Sequence, residues 1–217
     1  AVLMAPILPL LGLSFRLESR AFKLTALRAL VSVLSTYCFI AAVRVMPIAD
    51  ALAIAFLEPF IILLIGRIVL KEQVGPRRIG AAIVGFVGSL LVIQPAFAHF
   101  GLVALFPLGT AFSFALYILI TRSLSRLVHP VAMQFHTALW AGGMCLPLLA
   151  LGSGLAEPSL TFVLPQGIFW IWCAAVGLAA TVSHMAMTYA LKFAPSSTLA
   201  PLHYLKIVPA ALFSYLV

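Results

Sequence analysis

Residues 44–67 read RVMPIADALAIAFLEPFIILLIGR, and this stretch decides the fold. Between Arg44 and Arg67 nearly every side chain is apolar, and the run is long enough to cross a hydrocarbon core, which takes about 20 residues as a helix. Pro47 opens it, and Glu58-Pro59 interrupts its middle. A barrel strand would alternate over about ten residues, whereas this run is continuously apolar. Reading outward, with charges and prolines as punctuation, gives eight segments at 1–15, 27–46, 48–70, 76–96, 101–121, 131–151, 163–190 and 196–217. All are expected to be helical, because lipid offers backbone groups no other partners. The composition agrees: 217 residues, 64% hydrophobic and 8% charged, with mean hydropathy +1.20. A soluble domain carries roughly 25% charged residues, and a disordered chain lacks this much apolar content. The expected fold class is therefore an all-α polytopic membrane protein. Because the chain starts at Ala1 and stops at Val217 inside apolar runs, it is expected to be the ordered part of something longer. The opening run has no basic leader and does not read as a signal peptide.

The loops alternate in charge. Arg16, Arg20, Lys23 and Arg28, then Arg67, Lys71, Arg77 and Arg78, then Arg122 and Arg126, then Lys192 fall in every second connection. The other connections hold only Arg44, and Lys206 lies within a segment. The positive-inside rule puts the loops near 20, 72, 125 and 192 in the cytoplasm. The net charge of +8 thus reads as topology and not as a nucleic-acid surface. Cys38, Cys145 and Cys173 lack metal-like spacing and read as small buried hydrophobes.

A shift of 148 residues lays Ala42-Val-Arg44-Val-Met-Pro47 on Ala190-Leu-Lys192-Phe-Ala-Pro195, and Phe56-Leu57-Glu58-Pro59 on Tyr204-Leu205-Lys206-Ile207. Both copies keep a helix–proline–helix punctuation with a basic residue three positions before the proline. The charge pattern gives the copies opposite orientations, and inverted repeats mark transporters. The run from Arg28 through Met46-Pro47-Ile48-Ala49-Asp50-Ala51, Phe56-Leu57-Glu58-Pro59, Lys71-Glu72 and Gly80 to Gly88 resembles the first EamA repeat, of the drug/metabolite transporter superfamily. Ala190 through Pro195 to Tyr204-Leu205 resembles the matching part of the second. The resemblance implies ten helices in two inverted five-helix repeats. Residues 1–98 would then be helices two to five and residues 99–217 helices six to nine, with the first and last helices missing. Where the family's second repeat commonly keeps a Leu-Glu-Pro-like sequence, this chain has Leu205-Lys206-Ile207.

Glu58 and Lys206 are the strong charges in mid-segment. Each lies about ten residues from a segment start, roughly 15 Å deep and near the midplane of a core about 30 Å thick. A charge there costs about 2.5–3.5 kcal/mol, so each is expected to face a partner or water. The two are expected to line one central cavity, either as a structural ion pair or as substrate ligands. His136, His184 and His203 lie on three segments, where interhelical hydrogen bonds compete with a metal or proton-relay role. No short-spaced ligand pair supports a metal. Tyr37, Tyr117, Trp140, Tyr189 and Tyr204 offer aromatic walls, and Tyr204 stands out beside Lys206. The substrate-binding set is Glu58, Lys206, Tyr204, His203, His184, Tyr37 and Trp140. Trp170 and Trp172 read as interfacial anchors, and Ala81, Gly85 and Ser89 as a close-packing stripe. Pro59, Pro107, Pro147 and Pro209 are expected to interrupt helices.

The function expected is a secondary transporter of small polar or amphipathic, amino-acid-like metabolites, working by alternating access. No Gly-x-x-x-x-Gly-Lys-Ser/Thr motif is present to hold ATP, and neither His-Glu-x-x-His nor Gly-x-Ser-x-Gly points to an enzyme. A channel is the main alternative, with an intramembrane enzyme well behind. The partners expected are a small-molecule substrate, the lipid bilayer and a coupling proton, with no nucleic acid and no cofactor. The resemblance and the compact loops imply a bacterial inner membrane.

Overall fold

The structure, a computed structural model, describes residues 4–155 and 163–206, with the side chains of 89–97, 151–155 and 206 outside that description. In chain order the helices are α1 (Ile7–Leu10), α2 (Ser19–Val43), α3 (Ile48–Ala55), α4 (Glu58–Val69), α5 (Pro76–Phe100), α6 (Leu105–Leu124), α7 (Pro130–Leu155), α8 (Phe169–Phe193) and α9 (Ser196–Leu199). Two 3-10 turns, Gly101–Ala104 and Ala200–Lys206, precede α6 and follow α9. There is no strand among the described residues. Among the described residues four stretches are long and apolar enough to cross a bilayer: Ser19–Val43, Ile48–Val69 (α3 with α4), Ala98–Leu124 (the end of α5 through α6) and Phe169–Phe193.

Several boundaries differ from the sequence reading. Among the described residues the first segment is helical only over Ile7–Leu10, and Gly12 turns the chain at φ +65° just after it. α2 starts at Ser19 and not near 27, so Arg20, Lys23 and Arg28 belong to the helix and not to a loop. Arg20 and Lys23 point outward, so their charges do not stop the helix. Pro107 sits in the first turn of α6, where the missing amide costs nothing, whereas Pro147 is inside α7 as expected and Pro209 lies outside the described residues.

The chain divides into two compact units, residues 1–33 with 121–193 and residues 34–120 with 194–217. In the first, α7 packs on α8 and α1, and Met4 and Leu8 close on Val131 and Phe135. Trp170 and Trp172 stand 57% and 62% exposed in the first turn of α8. In the second unit α3 and α4 pack on α5, and α4 also packs on α9 and the final 3-10 turn. Its core joins Ala42, Met46, Ala51, Ile54, Leu57, Ala104 and Ala111. Small residues bring these backbones close: a Cβ on Gly109 would lie 3.2 Å from Cys38 Sγ. Ser35 and Thr110 exchange side-chain-to-carbonyl bonds of 3.3 and 3.4 Å across the same contact.

Candidate functional site

Pro47 and Pro195 both cap a helix from an extended conformation, with ψ of 140° and 151°. Neither helix then runs regularly. α3 ends at Ala55, Phe56 and Leu57 form a tight turn, and α4 restarts at Glu58 with Pro59 in its first turn. The reason is local: Pro59 has no amide to give to Ala55, and its ring crowds that carbonyl. After Pro195, α9 tightens into the 3-10 turn Ala200–Lys206. Broken helices of this kind expose backbone ends at membrane depth and need polar partners.

Glu58 supplies one such partner. Its carboxylate sits in the first turn of α4, at the positive end of that helix, and the residue is only 7% exposed. His203, 4% exposed on the 3-10 turn, places Nδ1 against Glu58 Oε1. The imidazole Nε2 is buried without a hydrogen-bond partner among the described residues. Phe114 lies beside the imidazole, with ring centroids 6.4 Å apart. Tyr204 follows His203 in the chain and tilts against Phe56 at 6.2 Å. Its ring fits because residue 85 is glycine: a Cβ there would stand 2.9 Å from Tyr204 Cζ and closer still to the hydroxyl. An open cavity of about 160 Å³ is lined by Glu58 with Phe39, Leu52, Phe56, Thr110 and Phe114.

Of the residues named from sequence, the structure brings Glu58, His203 and Tyr204 together, and Tyr37 lies half-buried in the same unit. The interhelical histidine bond expected for His203 is present, with Glu58 as its partner. Lys206, paired with Glu58 in the sequence reading, follows His203 by three residues, and its side chain lies outside the described residues. His184 and Trp140 belong to the first unit, where Trp140 packs edge-on against Phe22 at 5.1 Å. His136 is also there, 8% exposed and against Phe135.

The sequence reading missed two polar features. Arg28, assigned to a loop, is fully buried in the first unit. Its Nε donates to Thr121 Oγ1 at 2.7 Å, one terminal nitrogen to Thr137 Oγ1, and the other to Gln134 Oε1 and Thr188 Oγ1 at 3.3 and 3.4 Å. The available signal was the set of threonines within otherwise apolar segments. In the second unit, Lys71 takes a left-handed φ of +52° after α4, and the chain turns so that Glu72 reaches α9. Its carboxylate accepts from the Ser196 amide (3.1 Å), the Ser196 hydroxyl (2.8 Å) and the Ser197 amide (2.9 Å). Burial pushes the Glu72 pKa up, but the bonds from Ser197 and Ser196 outweigh it and hold the carboxyl below its ordinary value.

Comparison with known proteins adds the following. Residues 1–94 match the family model described as the EamA-like transporter family. A riboflavin transporter of Rhizobium johnstonii is 29% identical over 183 residues, 83% of this chain and 57% of that protein. One of Vibrio cholerae is 27% identical over the whole chain and 70% of its own length. An S-adenosylmethionine uptake transporter of Rickettsia bellii is 25% identical over 79% of this chain and 56% of its own length. The chain therefore spans little more than half of the first and last of these relatives. No solved structure matches it.

Proposed function

We propose that the chain, whose residues 1–94 match the EamA-like transporter family, is a member of that family and forms the substrate-handling part of a secondary transporter for a small metabolite. The observation that carries this reading is the buried carboxylate of Glu58 at a broken helix, on the wall of an aromatic cavity. Pockets that enclose a metabolite measure roughly 300–1,000 Å³, and a cavity of about 160 Å³ takes only one end of such a molecule. Enclosing the rest requires rearrangement, which supports alternating access over a fixed channel. The broken helices beside Pro47 and Pro195 supply the elements to rearrange. The proposed repeats are 1–98 and 99–217, the topology is the one the loop charges indicate, and the membrane is a bacterial inner membrane.

Phe39, Phe56 and Phe114 offer stacking faces, and Glu58 accepts hydrogen bonds. That combination suits a planar heteroaromatic ring bearing N–H donors, and relatives named for riboflavin and S-adenosylmethionine support it. An amino-acid-like substrate would use Glu58 for its ammonium and leave the phenylalanines idle. The test is counterflow in proteoliposomes of the full-length protein, with labelled riboflavin, S-adenosylmethionine and a panel of amino acids. Saturable exchange of a heteroaromatic probe, weakened at least several-fold by Glu58→Gln, is expected. Exchange of amino acids alone would overturn the substrate class, and non-saturating flux would favour a channel.

A further inference from the structure

We propose that Tyr204 is a hinged substrate ligand, an inference that rests on the transport reading above and adds the second half of the recognition pattern. Its phenol, held here in a notch that Gly85 leaves in α5, swings out to donate a hydrogen bond to an acceptor on the substrate's ring. The cavity needs such a donor. Among the described side chains that line it, Phe39, Leu52, Phe56 and Phe114 have no polar hydrogen, and the Glu58 carboxylate accepts. Thr110 brings a hydroxyl, but its hydrogen is already shared between the carbonyls of Phe106 at 3.2 Å and Ser35 at 3.4 Å. A heteroaromatic ring with N–H donors also carries carbonyl or ring-nitrogen acceptors. An acceptor buried without a donor loses what water gave it.

Tyr204 has a donor to give. Its hydroxyl is buried without a hydrogen-bond partner among the described residues. Such a group is costly, so the notch is not where this hydroxyl is best satisfied. Shape holds it there: residue 85 has no side chain, and a Cβ would stand 2.9 Å from Tyr204 Cζ and 3.5 Å from Cε2. The same ring tilts against Phe56, a wall of the cavity, at 6.2 Å, and the preceding residue His203 meets Glu58, so the turn adjoins the cavity at two points. The backbone underneath is of a kind that moves. Tyr204 belongs to the seven-residue 3-10 turn Ala200–Lys206. Runs of this helix longer than three or four residues are uncommon, its hydrogen bonds are poorly aligned, and a stretch of it in a helical run often marks a hinge. A χ1 rotation between staggered wells then carries the hydroxyl out of the notch by most of the length of the side chain. The event is one O–H turning to one acceptor, with no group transferred.

The experiment measures counterflow kinetics of the full-length protein in proteoliposomes, with riboflavin and S-adenosylmethionine as probes, since each carries an N–H beside a ring acceptor. Tyr204→Phe keeps the ring and removes the donor. KM should rise about fivefold, the worth of one hydrogen bond, with the maximal rate within about twofold of wild type and the melting temperature in detergent no lower. Gly85→Ala fills the notch and keeps the phenol out. The maximal rate should fall, because parking is part of the cycle, while KM stays at or below the wild-type value, because the binding-competent form is favoured beforehand. A tyrosine that only packs predicts the reverse: KM unmoved in Tyr204→Phe and, with the site deformed, raised in Gly85→Ala. Either of those results overturns the hinged ligand and leaves transport standing. If neither probe exchanges in the wild type, the transport reading fails for both, and the ligand role falls with it.

Discussion

Arg28 holds a guanidinium with no surface exposure among three threonine hydroxyls and a glutamine oxygen. Thr137 and Thr188 donate their own hydrogens to the carbonyls of Met133 and His184, one turn back, which leaves their lone pairs to the arginine. Four such bonds, at about 0.6 kcal/mol each between membrane helices, put the loss in Arg28→Ala at about 2 kcal/mol. Arg28→Lys should recover only part of it, because an ammonium cannot present a planar fork to all four oxygens. Thermal unfolding in detergent checks both, and an Arg28→Ala protein as stable as wild type would refute the clamp. Gly85 is a second single-residue determinant. Gly85→Ala should cost about 1–3 kcal/mol and lower transport by displacing Tyr204. Tyr204→Phe in the same protein should restore part of both, since the hydroxyl is the atom the new methyl meets first.

At the scale of elements, the turn after α4 and the start of α9 act together. Lys71 turns the chain, and Glu72 satisfies amides that α9 leaves unpaired at its start, while Arg78 adds a bond of 3.2 Å to Ser197 Oγ. Glu72→Ala should cost about 1–2 kcal/mol, the range for a lost helix cap. The pH dependence has a definite sign. Because the folded state lowers the Glu72 pKa, its contribution is full above the ordinary value of 4.5 and is lost as pH falls through the lower folded-state value. Glu72→Gln should flatten that acid limb in a series of melting curves. An unchanged acid limb would show that the carboxylate holds nothing.

For the whole molecule, the charge count makes a topological statement that the fold sharpens. Introduced cysteines at Arg16, Gln73, Arg126 and Lys192, in a background without Cys38, Cys145 and Cys173, should resist impermeant thiol reagents in intact cells. These positions are exposed, whereas Ser125 is 3% exposed and bonded to Leu191, and would resist labelling on either side of a membrane. Labelling at two of the four would sink the topology. Arg122 also shows why cations collect there. It donates to the Leu191 carbonyl at 2.5 Å, near the negative end of α8, so it serves a helix terminus as well as a loop.

Helical class, the helix starts after Pro47 and Pro195 and the interruption near Pro59 were all legible in the sequence, because each follows from composition or from one residue's covalent geometry. So was Glu58 as a group needing a partner, since a carboxylate within an apolar run is costly whatever surrounds it. The identity of that partner was not. His203 is 145 residues away, and its distance from Glu58 depends on how α4 and the last 3-10 turn pack. Arg28 illustrates the same limit. In a helix apolar on nearly every face, periodicity leaves its rotation about the axis undetermined, so a cation near its end can turn outward, as Lys23 does, or inward, as Arg28 does. Tertiary structure made that choice, because only in the fold do Thr121, Gln134, Thr137 and Thr188 converge to replace the water a guanidinium gives up.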